Sequence, residues 1–149
     1  MLFRSERLVP PDDPDSNERM AREALLGRVP IPEAQIHPLR SPDVELPDRF
    51  DLVLLGIGAD GHTASLFPGD PALDVTDRAI VPVERPDHPR LTLTYPVIDA
   101  ALAATFLVAG AEKREILARV LAGDRSLPAA RVQAAETYVL ADEAAAGRA

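Results

Sequence analysis

Apolar positions along the chain fall into short runs broken by proline and glycine, and the period of each run predicts its element. "FDLVLLG" (residues 50–56) is continuously apolar and ends in glycine, the pattern of a strand buried on both faces of a helix-flanked parallel sheet. "AIVPV" (79–83) is a weaker strand, and Pro82, with no backbone N–H to donate, favours a sheet edge. "RLTLTYP" (90–96) alternates with period two and predicts a half-buried strand. A short helix over 97–102 then leads into a strand at "ATFLVAG" (104–110). "EKREILARVLAG" (112–123) has the period of an amphipathic helix, with Ile116, Leu117, Val120 and Leu121 inward.

Nearer the start, residues 1–14 read as an extended segment and a proline- and aspartate-rich loop. A helix over 17–26 follows, with Met20, Ala21, Ala24 and Leu25 on its apolar face and Gly27 at its end. Asp15 and Glu18 have capping-box spacing, and Ser16 is the alternative cap. "TYVLADEAAAG" (137–147) predicts a last strand and a short helix. Strands alternating with helices predict an α/β fold, with a mostly parallel sheet flanked by helices on both faces in Rossmann-like layers. The length of 149 residues suits one domain over 1–149.

Composition narrows the function classes. A net charge of -8 argues against nucleic-acid and anionic-membrane partners. The absence of cysteine removes disulfides and cysteine-based zinc sites, and a reducing cytoplasm is the expected compartment. No apolar run is long enough to span a bilayer, and the first residues lack the apolar core of a signal peptide.

The chemistry concentrates in "LLGIGADGHTASLFPGD" (54–70). Gly56, Gly58 and Gly61 match the dinucleotide-binding pattern, but a cofactor loop also needs a long helix and an acidic residue at the end of a following strand. Pro68 to Pro71 interrupt any helix about two turns after Gly61, and no apolar strand leads into Asp77. A phosphate loop fails too, because no Gly-Lys-Ser/Thr follows. What remains is a glycine loop that leads from a buried strand into a short helix. Its backbone N–H groups can hold a carboxylate, a phosphate or a developing oxyanion. His62 sits at the expected helix start and is either a turn residue or a general base. Arg7, Arg90 and Lys113 are each either solvated charges or anion ligands. His37, His62 and His88 are too far apart in sequence to form a local metal-ligand cluster.

The string "GIGADGHTASLFPG" (56–69) resembles the signature loop of 6-phosphogluconolactonases. "ERLVPPDDPDSNERMAREALL" (6–26), "PRLTLTYPVIDAA" (89–101), "LVAGAEKREIL" (107–117) and "LPAARV" (127–132) resemble other motifs of that family in the expected order. Thr63-Ala64-Ser65-Leu66-Phe67 favours the lactonases over the related glucosamine-6-phosphate deaminases, which share the Asp-Gly-His core. The resemblance implies hydrolysis of 6-phosphogluconolactone to 6-phosphogluconate in the oxidative pentose phosphate pathway, without metal or other cofactor. His62 would then activate water and Asp60 would help to position it. The backbone at Gly58 and Gly61 would lie against the sugar acid. Arg7 and Lys113 would clamp the phosphate, with Arg90 in the same pocket. The implied partner is a small sugar-phosphate lactone, with no nucleic acid or membrane. The alternatives are a deaminase or isomerase of amino-sugar phosphates, and a non-catalytic sugar-phosphate-binding fragment.

The chain departs from the family pattern in two places. Ser5 stands where the family has an acid before Glu-Arg. The family's earlier segment, with a Gly-Gly-Ser/Thr-Thr-Pro phosphate loop, has no counterpart, so the chain resembles the C-terminal two-thirds of a lactonase; truncation is the expected explanation, and a separate chain that supplies the segment or an altered short form are the alternatives. Apolar strands would then lack a covering neighbour, and self-association through an exposed sheet edge is expected.

Overall fold

Local chemistry starts the first helix. In a computed structural model that describes residues 1 and 3–147, Ser16 accepts a hydrogen bond from the Arg19 N–H at 3.2 Å. The buried Glu6 carboxylate takes the N–H groups of Asn17 and Glu18, both at 2.7 Å. Three of the four amides that a helix start leaves unpaired are thereby satisfied, and α1 (Asn17–Ala24) begins where expected. It ends two residues early, in a 3₁₀ turn over Leu26–Arg28 that contains Gly27. Its expected apolar face is not core: Met20, Ala24 and Leu25 are exposed, and Met20 and Ala21 border an open cleft. The one buried residue of α1 is Glu18, which is paired with Arg22 and Arg40. Charge pairing of Glu18 thus holds this helix, with Ala21 alone of its expected apolar face packed against the core.

The strands divide between two sheets. β1 (Ser5–Arg7), β4 (Arg90–Leu93) and β3 (Ile80–Val83) form an antiparallel sheet in that order. Pro82 lies exposed on the edge strand, as its missing N–H requires. The central strand β4 is more buried than its alternation suggests, since Leu91, Thr92 and Leu93 are all inside. The polar Thr92 is tolerated there because its hydroxyl accepts the Ser65 N–H and donates to the Leu93 carbonyl, both at 3.1 Å.

β2 (Leu52–Leu55), β5 (Ala103–Val108) and β6 (Glu136–Ala141) form a parallel sheet in the order β2-β5-β6. α2 (Tyr95–Asp99) leads into β5, α3 (Arg114–Leu121) follows it, and α4 (Glu143–Ala146) closes the described chain with Gly147 as its left-handed cap. The α/β class holds. One face of the parallel sheet is core, where Val53, Leu55, Ala104, Phe106 and Val108 join Ile116 and Leu117 of α3 in one cluster. The α3 residue Leu121, expected inward, is exposed. The other sheet face is bare among the described residues: Leu52 is 51% exposed and Leu140 61%, with Leu54, Leu107 and Tyr138 beside them. The strand expected to be buried on both faces is therefore half-buried, because no described helix lies over its outward leucines. Among the described residues no helix is long and apolar enough to cross a membrane.

A bare apolar face of this kind should bind the dye ANS in the folded state. The double variant Leu107→Lys, Leu140→Lys should lower the dye fluorescence while the far-ultraviolet circular dichroism stays the same. Equal fluorescence from variant and parent would contradict this assignment of the face.

Candidate active site

The glycine loop leaves the carboxyl end of β2 and folds back on itself. The Gly58 N–H donates to the His62 carbonyl and the Gly61 N–H to the Gly58 carbonyl, both at 2.9 Å. No helix follows, contrary to the sequence expectation. Thr63 and Leu66 form an isolated antiparallel bridge around a turn in which Ala64 takes a left-handed φ of 51°, which a helix cannot accommodate. The first helical turn downstream is a 3₁₀ segment, Pro71–Asp74, whose cap is Asp70. His62 is thus held by a turn and not by a helix start, and no helix dipole acts on it.

The turn brings Asp60 and His62 together. Their contact, from Oδ1 to Nδ1, is 2.5 Å, and the same oxygen accepts the His62 backbone N–H at 3.1 Å. Burial acts to raise the Asp60 carboxyl, but the His62 backbone N–H, the ring hydrogen bond and the ring's charge outweigh it. They hold Asp60 below its ordinary value. The ring packs on Phe67 with centroids 4.4 Å apart, while the His62 side chain stays 29% exposed. With Nδ1 engaged, Nε2 is the ring nitrogen left for chemistry.

Two glycines make this packing feasible. A Cβ at Gly58 would lie 2.0 Å from His62 Nδ1 and 2.8 Å from Asp60 Oδ1. Gly61 has φ +81°, and a Cβ there would stand 2.7 Å from the Leu127 side chain.

His62 borders a cleft of about 1010 Å³, whose walls come from β1, α1, β4, β2 and the irregular segment before β2. Of the expected cations, Arg7 and Arg90 line it. Arg7 is aimed by its Nη1, which donates to the Asp15 carbonyl and to Asn17 Oδ1, both at 2.8 Å. Arg90 pairs with Asp87 and lies over the Phe67 ring at 5.3 Å. Lys113 does not line the cleft. It follows β5, the parallel neighbour of β2, so its loop opens at the same end of the sheet. Asp60, Gly58 and Gly61 also lie outside the cleft lining and act on it through His62. Sequence reasoning missed Arg4, which lines the cleft, and Arg85, which stacks over Phe67 at 4.0 Å. Phe67 belongs to the loop signature, but nothing in the string marks it as the platform for His62, Arg85 and Arg90.

The family model for glucosamine-6-phosphate isomerases/6-phosphogluconolactonase matches residues 1–140. The chain belongs to this glucosamine-6-phosphate isomerase/6-phosphogluconolactonase family. Within it, the chain is 44% identical to a 6-phosphogluconolactonase of Synechocystis, over 82% of this chain and 60% of that protein. It is 43% identical to a 6-phosphogluconolactonase of Nostoc, over 99% of this chain and 71% of that protein. The crystal structure of a 6-phosphogluconolactonase from Thermotoga maritima superposes with a TM-score of 0.77 at 33% identity, covering 94% of this chain and 71% of that one. The chain therefore spans about 60–71% of the length of these family members. The Nostoc alignment runs over 171 positions, more than the chain has residues, so that relative also carries residues inside the matched span that this chain lacks.

Gly58→Ala should destabilise the fold by about 1–3 kcal/mol or expel the His62 ring from Asp60. Urea unfolding and the ring's NMR shifts read the two outcomes. A variant with parental stability and unmoved ring signals would contradict the packing described here.

Proposed function

We propose that this chain hydrolyses 6-phosphogluconolactone to 6-phosphogluconate. The observation that carries the reading is the Asp60–His62 pair, which sits at the rim of a cleft that Arg7 and Arg90 line. Asp60 accepts the Nδ1 proton, which leaves the Nε2 lone pair to take a proton from water. The resulting hydroxide adds to the lactone carbonyl carbon. The ring C–O bond then breaks, and the proton held by the imidazolium passes to the departing ring oxygen. Asp60 stabilises the imidazolium while it exists, and its lowered pKa keeps it charged for that role.

The substrate's phosphate supplies the handle. Arg7 is oriented by Asp15 and Asn17 and carries no carboxylate partner among the described residues, so its charge is available to an anion. Arg90 adds a second charge, tempered by Asp87. In this reading Lys113 approaches from the adjacent loop at the end of β5. Fixed placement of the ring against His62 is where most of the rate gain arises, since proximity converts a two-body encounter into a one-body step.

Lactone hydrolysis measured above the spontaneous rate tests the proposal. His62→Ala should lower kcat by about 10²–10⁴-fold and change KM little. An active His62→Ala variant would remove this histidine from the mechanism, and ammonia release from glucosamine 6-phosphate would move the chain to the other branch of its family. Asp60→Asn tests the pair through pH. A carboxyl whose pKa is depressed by folding stabilises the fold above its unfolded pKa, and that contribution fades as pH falls through the depressed value. The stability gap between parent and Asp60→Asn should therefore be full at neutral pH and narrow below about pH 4. A gap independent of pH would mean that the charge on Asp60 is not what holds the pair.

A further inference from the structure

Arg4 precedes β1, and its carbonyl accepts the Leu93 N–H at 2.9 Å, which extends the pairing with β4 by one residue. Its side chain crosses to the end of β2, where Nη2 lies 3.8 Å from the position that a Cβ on Gly56 would take. The guanidinium thus stands where the glycine loop begins, and Arg4 lines the same cleft as His62, Arg7 and Arg90. Its Nε is shut off from water and meets no acceptor. No carboxylate among the described residues pairs with it, although Glu45 and Asp51 line the same cleft. Burial alone shifts this group, pressing its pKa below the usual arginine value.

The chain has 24 acidic against 16 basic residues, and Arg19, Arg22, Arg40 and Arg119 all hold carboxylate partners. Arg90, in the same cleft, also has a buried Nε without an acceptor, but its Nη2 pairs with Asp87, whereas no nitrogen of the Arg4 guanidinium has a side-chain partner among the described residues. Buried polar groups without partners are rare, and each one calls for a cause such as a missing ion. An arginine fork suits two oxygens of one anion.

We infer that Arg4 is a binding residue for one anionic group of the ligand, a phosphate ester or a carboxylate, which its terminal guanidinium nitrogens hold. The inference rests on the reading that the cleft takes a phosphorylated sugar acid. It adds to that reading a cation at the mouth of the glycine loop, so that Arg4 and Arg7 hold the ligand from the two ends of β1.

Calorimetry and thermal unfolding on the full chain test it, with 6-phosphogluconate, gluconate and inorganic phosphate as separate probes. Arg4→Ala should weaken 6-phosphogluconate roughly tenfold or more, the scale of one charge-assisted hydrogen-bonded contact. Arg4→Lys should restore part of the loss. If the contact is to phosphate, inorganic phosphate binding falls and gluconate binding does not; if it is to carboxylate, the reverse holds. Arg4→Met keeps the apolar reach of the side chain and guards against a folding failure. It should leave the ligand-free Tm equal or raised, since it removes a buried donor without an acceptor, and it should lose the ligand-induced rise in Tm. Parental affinity in Arg4→Ala alongside weakened binding in Arg7→Ala would overturn the role of Arg4 and leave the cleft reading intact, as would an Arg4→Met variant that keeps the full ligand-induced rise. Absence of any 6-phosphogluconate binding by the parent chain would overturn both.

Discussion

No side chain can stand at position 58 while His62 stays where it is. The ring occupies the space that a Cβ would need, with a clearance of only 2.0 Å. Everything else at the site follows from that close approach. The edge of the ring that carries Nδ1 and Cε1 lies against Gly58, Nδ1 meets Asp60, and Nε2 is the nitrogen left without that partner. The turn that permits this is tied by its own amides, through the Gly58 and Gly61 N–H groups, and by Ser65 against the buried hydroxyl of Thr92. The site therefore rests on a strand of the other sheet as well as on β2.

The two sheets divide the work. The parallel sheet presents the loop from the carboxyl end of β2, the position at which open α/β sheets hold ligands. The antiparallel sheet supplies the cations, Arg7 from β1 and Arg90 from β4. Glu6 joins the two tasks, since its carboxylate caps α1 and so fixes Asn17, which in turn aims Arg7. A Glu-Arg dipeptide on one strand thereby serves both the fold and the charge placement. Phe67 gathers further groups around one ring, with His62 packed on it and the guanidinium groups of Arg85 and Arg90 over it.

Much of this was legible in the chain. The proline of "AIVPV" marked an edge strand, the spacing of Ile116 and Leu117 marked the buried side of α3, and the Asp-Gly-His string marked the two side chains that the turn brings into contact. Other features were hidden for physical reasons. A left-handed alanine at position 64 has no sequence signal, so a helix was expected where a bridge turn forms. The outward leucines of β2 look identical to buried ones until the absence of a covering element is seen. Nothing in the sequence singles out Arg4, and only the crossing from β1 to Gly56 shows its Nε shut off from water without a partner. The resemblance groups Lys113 with Arg7, whereas the fold sets it on the neighbouring loop, outside the cleft lining.

The tautomer of His62 tests the central claim most directly. Long-range proton–nitrogen NMR of the neutral ring, assigned by comparison with His62→Ala, distinguishes a proton on Nδ1 from one on Nε2. The account predicts a ring protonated at Nδ1 and facing Asp60, with Nε2 bare. A neutral ring protonated at Nε2, or an even mixture of the two forms, would contradict it.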